Sequence, residues 1–119
     1  MADMDGTTPP RPDRLAALLA FYEEDPGDAF TCFALAQEYD RRGQPQQAAA
    51  FYERLVEAQP EYTGTYYHLG KLYERLGRRE EALAVYRRGI EVCRRVRQLK
   101  DLSELQDALL AAEGAGWDD

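Results

Sequence analysis

The chain has 119 residues but only one histidine, His68, one serine, Ser103, and two cysteines, Cys32 and Cys93. So sparse a set of nucleophiles and bases makes a catalytic constellation hard to assemble, and none can be drawn from the sequence. There is no Cys-x-x-Cys, no His-Glu-x-x-His and no glycine-rich phosphate loop. Neither a metal nor a cofactor is expected, and the chain is not expected to be an enzyme. Two cysteines 61 positions apart are too few for a disulfide scaffold. Both lie among apolar residues at helical spacing, as buried free thiols do. Long apolar runs are also missing, and none approaches the roughly 18 residues of a membrane helix. Residues 1–12 lack a basic stretch followed by an apolar one, so no cleaved leader is expected. The expected compartment is the cytoplasm.

Positive charge is in deficit as well, with 15 bases against 22 acids and a net charge of −7. Nucleic-acid binding needs a basic surface to meet phosphates, which argues against that class. The distribution is uneven. Residues 1–70 carry 12 acids and 5 bases, residues 71–100 carry 4 and 10, and residues 101–119 carry 6 acids and no base. A basic block thus lies between two acidic ones.

What the chain does contain is a repeat. Residues 29–62 laid over 63–96 agree at ten of 34 positions, where chance gives about two or three at ordinary composition. The shared residues include Leu35/Leu69, Tyr39/Tyr73, Gly43/Gly77, Ala48/Ala82 and Tyr52/Tyr86. Each copy reads as two helices. In the first, Asp28 is a good N-cap, and Phe30, Phe33, Ala34 and Tyr39 follow at helical spacing. Gly43 suits the positive φ that closes a helix, Pro45 suits a first turn, and Pro60 is a stop. The second copy runs from 63 to 76, turns at Gly77, and continues from Arg79 to about Cys93. Such short turns fold each pair back antiparallel. Small residues let the pairs close, Ala36 on Ala48 and Gly70 on Ala82, with the tyrosines beside them.

The order Leu35-Ala36-x-x-Tyr39, Gly43, Ala48, Tyr52, Pro60, and its second copy Leu69-Gly70-x-x-Tyr73, Gly77, Ala82, Tyr86, resembles the tetratricopeptide repeat. The stretch from Lys100 to Gln106 is also similar to the end of small stand-alone bacterial proteins of that family. The departures are Cys32 and Tyr66 at positions often held by Trp, Leu55 and Gly89 where Ala is usual, and Arg94 in place of the terminal Pro. The resemblance implies an all-α superhelix of about six antiparallel helices. The expected layout is a disordered segment at 1–11, one domain at 12–113 and a loose tail at 114–119. Within the domain, 12–28 is a capping helix, 29–62 and 63–96 are the repeats, and 97–113 is a second capping helix. Bare repeats would leave apolar ends, which such caps cover. Asp101-Leu102-Ser103-Glu104 looks like a capping box opening the last helix. Leu102, Leu105, Leu109 and Ala112 follow as its apolar stripe, with Glu104, Gln106, Asp107 and Glu113 outside.

The family's first helices line a concave groove, and the resemblance assigns that role to Phe30, Phe33, Ala34, Gln37 and Asp40, then to Tyr67, His68, Lys71 and Glu74. Leu102, Leu105 and Asp101 would add the last helix. A peptide or helix of a partner protein is the implied occupant. Phe33, Gln37 and His68 replace the Lys and Asn residues with which some members clamp a terminal carboxylate, so that mode is not expected. Two plainer readings stay open: the phenylalanines pack in the core, and Lys71 simply pairs with Glu74. The basic block (Arg87, Arg88, Arg94, Arg95 and Arg97) is a candidate secondary patch for an acidic partner, or a solvated face neutralised by nearby acids. Self-association through the aromatic face is the alternative function. An RNA reader of the related pentatricopeptide type ranks last, given the period and the acidic charge.

Overall fold

Helix boundaries follow from caps and breakers in this computed structural model, which describes residues 13–114. Six helices succeed one another: α1 Arg14–Glu24, α2 Ala29–Arg41, α3 Pro45–Ala58, α4 Gly64–Arg75, α5 Arg79–Val96 and α6 Leu99–Gly114. Among the described residues there is no strand. The expected terminal segments 1–11 and, past Gly114, the tail lie outside the described residues.

Asp13 caps α1 through the Leu15 amide, and Asp28 caps α2 by accepting from the amide and hydroxyl of Thr31 at 2.9 and 2.6 Å. Pro45 opens α3 without a side-chain cap. The two repeat turns are alike. Gly43 and Gly77 both sit at φ +76°. In each, the amide two residues past the C-cap reaches back to a tyrosine carbonyl, Gln44 to Tyr39 at 2.9 Å and Arg78 to Tyr73 at 2.8 Å. This is the Schellman closure that glycine permits.

Each helix packs on the next, and α4 also meets α6. Ala36, Ala48 and Ala82 have no exposed surface, as close helix crossings require. Gly70 faces the ring of Tyr86, where an added Cβ would come within 2.1 Å of a ring carbon. Gly89 is equally constrained: a Cβ there would lie 2.6 Å from the Tyr66 Cβ and 2.9 Å from a Leu105 methyl. Three helices therefore converge on Gly89. Ion pairs tie successive layers. Arg75 holds the Asp40 carboxylate with two hydrogen bonds at 2.7 and 3.1 Å, and Arg88 reaches Glu57 at 3.1 Å. Glu38, almost fully buried, accepts from Arg41 and Arg42 and lies 3.4 Å from Arg14, joining α2 to α1. Those hydrogen bonds hold its carboxyl below the ordinary range.

Two expectations need correction. The second helix of the second repeat does not end near Cys93. Helix α5 runs to Val96, because Arg94 cannot break a helix as Pro60 does. It ends on Arg97, at φ 64°, with the Gln98 amide on the Cys93 carbonyl at 3.0 Å. Residues 94–96 are thus helix and only 97–98 turn. The capping box at Asp101 is also not used, since α6 begins at Leu99 and Asp101 lies in its first turn. Its carboxylate instead accepts the Thr63 hydroxyl at 2.6 Å, locking α6 to the start of α4.

Candidate partner-binding groove

An open groove of about 650 Å³ runs between α4 and α6. The α4 wall is Gly64, Tyr67, His68 and Lys71, spaced so that they share one helix face. The α6 wall is Lys100, Asp101, Glu104, Asp107 and Ala108.

His68 links this groove to an aromatic cluster. Its ring lies edge-on to Phe33 at 5.1 Å and to Tyr67 at 5.6 Å, and stacks on Tyr52 at 6.2 Å. Phe33 in turn meets Tyr52 at 5.6 Å and Tyr62 at 5.8 Å. Helices α2, α3 and α4 thus each contribute a ring, and such pairs favour edge contacts. Burial holds the His68 imidazole below its ordinary pKa. The carboxylates of Glu104, Asp101 and Asp40 act in the opposite direction without overcoming it.

The expected groove residues divide. Tyr67, His68 and Lys71 line the groove together. Phe33 is half-buried and joins them through His68, so it belongs partly to the packing. Gln37 is exposed one turn beyond Phe33. Phe30 is 67% exposed and lies outside the α4–α6 groove. Glu74 is not in the groove wall. It accepts the Tyr86 hydroxyl and pairs with Lys71 at 3.9 Å, as the plainer reading of Lys71 requires. Ala34 is buried.

Helix α6 departs from expectation. Leu105 has no exposed surface and belongs to the core, not the groove. Glu104 and Asp107, expected on the outer side, line the groove. A closing helix has neighbours on one side only. Its leucine stripe turns toward α4 and α5, which brings the adjoining acidic stripe over the groove. That stripe, with acids at 101, 104 and 107, was the signal available in the sequence.

The basic residues do not form one patch. Arg87 pairs with Glu113 at 2.8 Å, Arg88 with Glu57, and Arg95 with Glu61 at 3.7 Å. Arg94 and Arg87 border a separate cleft of about 500 Å³ floored by Ile90 and Leu109. Arg97 occupies the α5–α6 turn. Cys32 and Cys93 are buried free thiols whose burial raises their pKa. No helix among the described residues is long and apolar enough to cross a membrane.

A tetratricopeptide repeat profile matches residues 41–111, more than half of the chain, and a second of that description matches residues 16–62. The chain belongs to the tetratricopeptide repeat family. Its solved relatives include the crystal structure of a tetratricopeptide repeat domain protein from Salinibacter ruber. That structure is 57% identical, covers 73% of this chain and 98% of its own, and has a TM-score of 0.69. A solution NMR structure of a tetratricopeptide repeat domain protein from the same organism is 55% identical, with 80% and 96% covered and a TM-score of 0.75. The type III secretion translocator chaperone SycD of Yersinia enterocolitica also superposes with a TM-score of 0.75, covering 83% of this chain and 69% of that one. At 16% identity it attests to the fold alone. Comparison with curated proteins gave no match. Tetratricopeptide repeats are generally a non-catalytic protein-interaction fold, and the repeats here make the chain a protein-interaction module.

Proposed function

We propose that this tetratricopeptide module is an adaptor that seats a segment of a partner protein in its concave groove. The observation that carries the reading is the open groove of about 650 Å³ beside the aromatic cluster centred on His68. Aromatic side chains give a large contact area at low entropic cost, and the polar walls fix orientation. Tyr67, His68 and Lys71 are the proposed contact residues on α4, with Phe33 and Gln37 extending the surface along α2. Glu74 positions Lys71. Phe30 and the arginines from 87 to 97 are left for secondary contacts.

A pull-down from lysate of the source organism tests this, with wild type beside a Tyr67→Ala/Lys71→Ala variant. Both substitutions lie on groove-lining side chains that are not fully buried, so the fold is expected to persist by circular dichroism. A protein retained by wild type and lost with the variant is the expected outcome. Equal retention by both would overturn the groove assignment and turn attention to the arginines of α5. Retention of only the chain itself would favour self-association, to which the exposed Phe21 and Phe30 at the N-terminal end would then contribute.

A further inference from the structure

The groove has a charge as well as a shape. Asp101, Glu104 and Asp107 follow one another at single-turn spacing along α6 and all three line it. Residues so spaced stand roughly 5–6 Å apart at Cβ, and like charges at that spacing repel. Asp101 is engaged by the Thr63 hydroxyl, which leaves its charge in place. Glu104 and Asp107 are exposed and have no basic partner among the described residues. The ion pair that α6 makes among the described residues is through Glu113, in the separate cleft on the α5 side. Two cations share the groove. Lys71 is matched by Glu74, and Lys100 stands exposed in the first turn of α6. Three carboxylates therefore face the groove against two lysines, Lys71 on α4, already paired with Glu74, and Lys100 on α6. At the His68 ring burial dominates and lowers the pKa, and the charges that act against it are the carboxylates of Glu104, Asp101 and Asp40, the first two in this groove.

We propose that the groove selects a basic segment: an extended stretch of a partner protein with Lys or Arg at alternate positions. Alternate residues of an extended chain project to one side about 6.6–6.8 Å apart, wider than the roughly 5–6 Å step between successive acids of α6, a difference that the long, flexible stems of lysine and arginine can take up. The cationic groups would meet Asp101, Glu104 and Asp107. Their aliphatic stems and the intervening apolar side chains would lie on Tyr67 and the rings behind it, an arrangement that also gives cation–π contact. This inference rests on the groove reading and adds the chemistry of the occupant.

The test uses the full chain and three labelled synthetic peptides of equal length, alternating leucine with lysine, glutamine or glutamate, with binding read by fluorescence anisotropy. The lysine peptide is expected to bind at least about tenfold more tightly than the glutamine peptide. A Glu104→Lys/Asp107→Lys variant should lose that margin and gain affinity for the glutamate peptide. A Glu23→Lys/Glu24→Lys variant changes net charge equally on exposed α1 positions and should hold the lysine peptide within about twofold of wild type. Equal loss in both variants would reduce the effect to bulk attraction and overturn the proposal. If the glutamine peptide bound as well as the lysine one and Tyr67→Ala abolished both, the groove would stand and its preference for bases would fall. If Tyr67→Ala changed nothing, the groove reading itself would fall. Binding of none of the three would overturn the proposal.

Discussion

Two glycines inside helices show how single residues set this fold. Glycine in a helix interior costs about 1 kcal/mol relative to alanine, so its presence needs a reason. At Gly70 the reason is the Tyr86 ring, and at Gly89 it is the Cβ of Tyr66 together with Leu105. The two obstacles differ. A ring can swing, at the expense of the hydrogen bond from the Tyr86 hydroxyl to Glu74, whereas a Cβ moves only with its backbone. Gly89→Ala is therefore expected to destabilise by about 1–3 kcal/mol, and Gly70→Ala by less. Urea denaturation of both variants checks this, and a Gly89→Ala protein more stable than wild type would contradict the packing. The first contact was legible in the sequence, because Ala82 and Tyr86 recur as Ala48 and Tyr52, and Gly70 stands where the first copy has the small Ala36. The second was not. Gly89 reads as a departure from a usual alanine until α6 is in place, since one of its two neighbours comes from outside the repeat.

Elements bounded by glycine and proline were legible almost to the residue. Gly43, Pro45, Pro60 and Gly77 each act through their own backbone, whatever the tertiary context. The junction of α5 and α6 has no such residue, and there the sequence misleads. Asp101-x-x-Glu104 has the form of a capping box, but its aspartate bonds to Thr63, a residue 38 positions away. Local pattern carries no information about such a partner. The junction also leaves a weak point. Arg97 holds a left-handed conformation at φ 64°, which costs a residue with a Cβ roughly 1–2 kcal/mol. Arg97→Gly should recover part of that, about 1 kcal/mol, visible as a higher urea midpoint. A lower midpoint would mean that the arginine side chain contributes more than its backbone costs. The groove was half legible for a related reason. The family resemblance places the α4 residues Tyr67, His68 and Lys71 there, whereas the α6 wall depends on which way a closing helix turns, and only its packing on α4 and α5 decides that.

At the scale of the whole molecule, the helices form a stack in which each one leans mainly on its neighbours. The two ends are unequal. Helix α1 buries only Leu18 fully, with Leu15, Leu19 and Tyr22 partly covered. Helix α6 buries Leu105, Ala108 and Ala112 and is pinned by Asp101 to Thr63. Stability in such a stack is expected to fall toward the lighter end. Amide hydrogen exchange should therefore be fastest in α1 among the six helices and slowest in α4 and α5. Faster exchange in α6 than in α1 would refute that order.

The stack leans on its lighter end least where α4 faces α6. Warming would melt α1 away from α2 while Tyr67, His68 and the acids of α6 stayed in register. Recognition in that groove would then outlast the first loss of helix, and the temperature at which the molecule begins to fray would lie below the one at which it stops binding.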